Sequence, residues 1–234
     1  MQQTSSARID DHALVGSSAA VHASEVADLL DAAGDSALDC VGRSSVFSRM
    51  SDGTLPFAGR AAYLEQHWEG LRILRAALGA PGLAVDPLAL APMRTALAAV
   101  TDSFAVALDR AHATARWRDR HVTMPSMLQF RRHIGELQDA GDTLGLVAHT
   151  YLRLTLARAC PGPAVDESAD PTSLQGVFDS LVVDEESLEL LSEELSAALL
   201  LLMQHGSDVC RGYHERDADS SCAVTVSTIR RALQ

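Results

Sequence analysis

Apolar residues recur at three- and four-residue intervals along most of this chain, the spacing that places them on one face of an α-helix. From Ser24, a residue type suited to an N-cap, the positions Val26, Leu29, Leu30, Ala33, Ala37, Leu38 and Val41 predict a first helix, weakened in its middle by Gly34. After the turn signal Ser51-Asp52-Gly53, Ala61, Leu64, Trp68, Leu71, Leu74 and Leu78 predict a second, ended by Gly79 and Pro81-Gly82. Asp86-Pro87 opens a third through Met93, Leu97, Val100, Phe104 and Leu108, with a break near Thr101. Ser126 to Gln138 reads as a fourth and Leu144 to Ala159 as a fifth, followed by a loop from Pro161 to Pro171. Asp184 reads as the N-cap of a last helix to about Gly206, with Glu185 and Glu186 in the first turn, where they suit the helix dipole. No stretch alternates like a strand and no internal repeat is seen. The prediction is an all-α, single-domain helical bundle over residues 25–215, between a flexible N-terminal tail (1–24) and a C-terminal tail (216–234). Its expected buried positions include Leu29, Leu38, Leu64, Trp68, Leu71, Val147, Leu154, Leu195 and Leu199.

Composition narrows the classes. The 234 residues are 47% apolar but only 4% aromatic, so the core must be built mainly from Ala, Leu and Val. The net charge of −12 argues against nonspecific nucleic-acid binding, and there is no lysine: every base is arginine. Cys40, Cys160, Cys210 and Cys222 lack zinc-site spacing, and the chain starts with no basic-then-apolar signal pattern. No apolar run approaches a membrane span. The expectation is a cytoplasmic protein with no nucleic-acid or membrane partner; a homo-oligomer is left open.

The segment Trp117-Arg118-Asp119-Arg120, then Pro125, then Leu146-Val147-Ala148-His149-Thr150-Tyr151-Leu152-Arg153 resembles bacterial and mammalian heme oxygenases, whose distal helix begins with a Val-Ala-His-x-Tyr-x-Arg run. Phe47, Gly53, Leu55 and Leu64-Glu65-Gln66-His67-Trp68 are similar to that family's connection into its second helix, and Val183-Asp184-Glu185-Glu186 to the start of its last helix. The resemblance spans roughly residues 25 to 212. It implies a heme oxygenase-like bundle in which ligand lies between the first helix and the distal helix.

The same resemblance implies a histidine ligand to heme iron eight positions before the family's phenylalanine. Counted from Phe47, that position is Asp39, or Cys40 with a one-residue shift; His22 lies more than four helical turns from Asp39. The family's Gly-rich distal stretch corresponds here to Leu156-Ala157-Arg158-Ala159-Cys160-Pro161, which lacks both the glycines and the aspartate. Tyr151 matches a propionate-contacting tyrosine, and Arg153 reads as structural. The cofactor-pocket positions in this register are therefore Asp39, Cys40, Tyr151, Thr155 and Leu156, and heme is the cofactor the resemblance suggests. Leucine in place of glycine at position 156 implies a gap partly filled by Leu38, Val41, Val147, Tyr151, Thr155 and Leu156.

The functional expectation is a diverged member, a pseudoenzyme that binds a tetrapyrrole, another flat apolar ligand or a protein partner without efficient heme-to-biliverdin conversion. The alternatives are an active heme-degrading oxidoreductase with Cys40 or Asp39 as axial ligand, a non-heme metal oxidase on the same fold, and a thiamin-salvage type hydrolase using Cys160 or Cys210. No metal ligand set is evident, and His149 reads as a packed, hydrogen-bonded helix residue. Glu65 and His67, two apart, point to different faces. Glu185, Glu186, Glu189, Glu193 and Glu194 read as one solvated helix face.

Overall fold

The computed structural model describes residues 12–81, 83, 89–160, 177 and 184–213. Among them are seven α-helices: α1 (His12–Gly42), α2 (Ser45–Ser51), α3 (Phe57–Leu78), α4 (Ala91–His112), α5 (Pro125–Ala140), α6 (Thr143–Ala159) and α7 (Glu185–Gly212). A short 3-10 helix, Ala115–Asp119, links α4 to α5, and no strand occurs among the described residues. The fold is all-α, as the periodicity predicts. The segment from Pro161 to Pro171, the Asp86-Pro87 start and the tail at 216–234 lie outside the described residues.

Helix boundaries follow local chemistry. Asp184 caps α7 by accepting a hydrogen bond from Ser187 N at 2.9 Å, and Asp142 caps α6 by accepting from Gly145 N at 2.9 Å. Gly141 takes a left-handed φ of 70° at the end of α5, the conformation that turns one helix tightly into the next. Helix α1 begins at His12, ahead of the Ser24 start read from the periodicity. The break expected near Thr101 does not occur. Its hydroxyl donates to Leu97 O one turn back, so its polar atom is satisfied within an unbroken α4. Helix α2 is too short to show a period, and the sequence pattern misses it.

Helix α6 is the centre of the bundle, touching α1, α3, α4, α5 and α7. Every residue from Gly145 to Leu154 is buried, the signature of a helix enclosed on all sides. On α1 the buried stripe is Val26, Leu30, Gly34, Ala37 and Val41. Leu38 stands one residue round the helix from that stripe and is 37% exposed, contrary to its expected burial. Leu29, Leu64 and Leu199 are half-buried on the flanks of the core, whereas Trp68, Leu71, Val147, Leu154 and Leu195 lie within it.

Candidate functional site

A helix enclosed on all sides must bury its polar residues too. Arg153 of α6 is 1% exposed. Its guanidinium sits over the Phe130 ring, 4.4 Å from the centroid, and donates through Nη2 toward His205 Nδ1 at 3.5 Å. Nε and Nη1 have no hydrogen-bond partner among the described residues. Burial holds its pKa down to about 10. His67 on α3 is also enclosed; burial first, and then the Arg153 charge, push its pKa down to about 3, so the ring is neutral. At the far end of α6, burial pushes the Cys160 thiol up to about 12 beside the Tyr63 hydroxyl, which makes it a poor nucleophile.

Among the described residues, the positions taken from the family register face different ways. Asp39 points to solvent and pairs with Arg43 at 2.6 Å, both side chains more than half exposed. Cys40 is a half-buried free thiol. Tyr151 donates its hydroxyl to Asp31 Oδ1 at 2.9 Å, and burial followed by that carboxylate pushes its pKa up. The helices meet closely here: a Cβ on Gly34 would stand 3.3 Å from the Tyr151 hydroxyl and 3.6 Å from the Thr155 methyl. The glycine that weakens α1 as a helix is thus the one that lets α6 approach. Leu156 is 1% exposed, inside the core. Of the residues expected around a partly filled gap, Val41, Val147, Tyr151 and Leu156 are buried and Thr155 half-buried, while Leu38 faces outward.

An open cleft of about 780 Å³ lies elsewhere, between the first half of α3, the end of α4, the 3-10 helix and Tyr213. Trp117 forms its wall. That indole stands edge-on to Trp68, with ring centroids 4.7 Å apart, and stacks with His112 at 6.0 Å. Its Nε1 donates to Asp109 Oδ1 at 2.8 Å, and Arg118 clamps the same carboxylate through both oxygens at 2.6 and 3.0 Å. Phe57, 65% exposed, stands at the rim. Arg116 and Arg120 also line the cleft and pair with no carboxylate among the described residues.

Inside the cleft, Glu65 is pushed up to about 7, mainly by burial, with the Glu69 charge adding to it and His121 opposing. His112 Nε2 is 2.8 Å from Glu65 Oε1, at an angle that makes no hydrogen bond. Burial lowers the His112 pKa, so the ring tends to be neutral. Behind this pair, fully buried Glu69 accepts from His121 Nε2 and Thr123 Oγ1 at 3.2 Å and from Arg131. Burial raises the Glu69 pKa, but those partners outweigh it and the net shift is downward. Gln66 holds the wall in place, donating to Val122 O at 2.8 Å and accepting from Met124 N at 3.0 Å. The cleft thus offers an aromatic wall, two guanidinium groups with no carboxylate partner among the described residues, and a carboxyl pushed up to about 7.

A third cluster joins three helices. His133 of α5 and His149 of α6 both direct Nε2 at Glu194 Oε2 of α7, at 2.9 and 3.2 Å. The three ligand-type atoms all lie within 4.8 Å of one another, a His/His/Glu group able to hold a metal ion. Glu185, Glu186, Glu189 and Glu193 are exposed, as the solvated-face reading expects, but Glu194 turns inward. Sequence spacing missed this group because its members sit on three different helices. One signal was present: His133 and His149 lie eight and seven residues from the Gly141-Asp142 turn, so an antiparallel hairpin brings them level.

The fold and these sites define a helical bundle with a polar centre and an open aromatic cleft. No protein-family profile matches the chain, and no curated protein matches it. Among the described residues no helix is long and apolar enough to cross a membrane.

Proposed function

We propose that this chain is a diverged, heme oxygenase-like binding protein that takes a flat, largely apolar, carboxylate-bearing ligand of tetrapyrrole type in the cleft beside Trp117, without efficient conversion of heme to biliverdin. The observation that carries the reading is the pair Arg116 and Arg120, which have no carboxylate partner among the described residues, at an aromatic-walled cleft of about 780 Å³. Guanidinium groups recognise carboxylates through paired hydrogen bonds. The cleft volume suits a ligand of porphyrin size, within the roughly 300–1,000 Å³ usual for small-molecule sites. In a chain that is acidic overall, two arginines without a carboxylate partner among the described residues also mark where an anion is tolerated.

What supports a lack of turnover at the family's own heme position is the α1–α6 seam. Oxygen activation on heme needs an axial donor and an open distal side. Here Asp39 faces solvent and Tyr151 and Thr155 pack on Gly34. Trp117 lines the cleft and the chain's other tryptophan, Trp68, packs edge-on against it, so their fluorescence reports occupancy. Metal-free protoporphyrin and hemin should each quench it saturably at 1:1 stoichiometry. An Arg116→Ser/Arg120→Ser variant should weaken both at least tenfold. Unsaturable quenching, or unchanged affinity in the variant, would overturn the reading, and biliverdin bands at an ordinary heme-oxygenase rate with reductant would overturn its second half.

A further inference from the structure

We infer that His133, His149 and Glu194 form a binding site for a first-row divalent metal ion, on the side of α6 that faces α5 and α7. It is independent of the ligand cleft.

The argument is geometric. A tetrahedral zinc-type ion with bonds of about 2.0–2.2 Å sets its ligand atoms roughly 3.3 Å apart. The two histidine nitrogens stand 2.9 and 3.2 Å from the same Glu194 oxygen, within a few tenths of an ångström of that spacing. All three ligand atoms fall inside a 4.8 Å span. Small rotations of the partly exposed His133 and Glu194 side chains, 27% and 22% accessible, open the remaining distance, whereas His149 at 1% is held by the core. Phe130 meets the His149 ring edge-on at 5.7 Å and fixes its orientation.

The outer side of the site also has the chemistry metal sites use. Glu136, one turn along α5, places Oε2 4.0 Å from His133 Nδ1, on the nitrogen that would face away from the ion. Two imidazoles and one carboxylate form the borderline-hard set that suits Zn²⁺, Fe²⁺ or Co²⁺ over Mg²⁺ or Ca²⁺. Three protein ligands leave a fourth position, and the exposure of His133 and Glu194 places it toward solvent, where water or a small ligand can enter.

The test uses the full chain after exhaustive chelator treatment, titrated with Co²⁺ and with Zn²⁺. Tetrahedral Co²⁺ should give intense visible absorption saturating at one ion per chain, displaced by Zn²⁺. His133→Ala and Glu194→Gln should each weaken Zn²⁺ binding at least a hundredfold. Both substitutions fall at partly exposed positions, and an unchanged far-ultraviolet circular dichroism spectrum would verify the fold. Zn²⁺ should raise the melting temperature of the unsubstituted chain but not of the variants. Absence of 1:1 binding, or binding of equal strength in both variants and hence at other histidines, would refute the site.

Discussion

The guanidinium of Arg153 lies against the bare Cα of Gly70. A Cβ at position 70 would stand only 2.8 Å from Nε and closer still to Cζ. An arginine in the centre of the bundle is therefore accommodated by a glycine on the neighbouring helix, and the two residues form a single packing unit.

Gly70→Ala should destabilise the fold by about 1–3 kcal/mol through overpacking, although alanine in a helix interior is otherwise favoured over glycine by about 1 kcal/mol. In an Arg153→Ala background the sign should reverse, because the added methyl enters vacated space. Urea unfolding of the single and double variants measures this coupling. Additive effects would show that the contact is not the reason for the glycine.

Glu65 should make stability fall with rising pH. Its folded-state pKa of about 7 lies above the ordinary glutamate value, so the native state holds the proton more tightly than the unfolded chain. Its contribution is fully present below about pH 4.5 and is lost as pH climbs through 7. Glu65→Gln should match the unsubstituted protein near pH 4.5 and exceed it at pH 8 by up to about 3 kcal/mol. Denaturation midpoints across that range provide the check, and equal pH slopes for the two proteins would contradict it.

Asp39→His or Cys40→His should not create a low-micromolar heme complex at the α1–α6 seam. Position 39 faces solvent beside Arg43, and the Gly34–Tyr151 contact leaves no slot for a macrocycle. Heme titration followed by its Soret band is the measurement. Pairing either histidine with Leu156→Gly enlarges the seam, and a new histidine-type spectrum only in the paired variants would locate the obstruction there.

Asp184→Ala should lower stability by about 1 kcal/mol, the usual effect of removing an N-cap side chain. The loss comes from the Ser187 amide, which gives up its 2.9 Å acceptor at the start of α7. Thermal unfolding of Asp184→Asn, which retains an acceptor oxygen, should recover most of it.

The helices themselves are written in local chemistry, and that part was legible. Pro125 opens α5, Asp184 caps α7, and the three- to four-residue spacing of Leu71, Leu74 and Leu78 marks the buried side of α3. Such signals act within one or two turns, so no fold is needed to read them. They fail where two neighbouring apolar residues compete for one stripe, as Ala37 and Leu38 do, because only the packing partner selects which faces inward.

The amino-acid sequence by itself determined an all-α chain and most of its helix boundaries, whereas the cleft beside Trp117 came only from the packing. Only the tertiary structure decided what the polar residues do. Glu194 shares a helix with exposed glutamates, and nothing in its spacing turns it toward His133 and His149; the packing of α7 against α5 and α6 does. Arg153 reads as structural from the resemblance, but its place over Phe130 at the core appears only once α6 is enclosed by five neighbours, and Gly34 reads as a weak point in α1 until Tyr151 arrives beside it. Periodicity records how a helix meets water and core, whereas a site depends on which side chains several helices bring to the same depth, a relation between residues far apart in sequence.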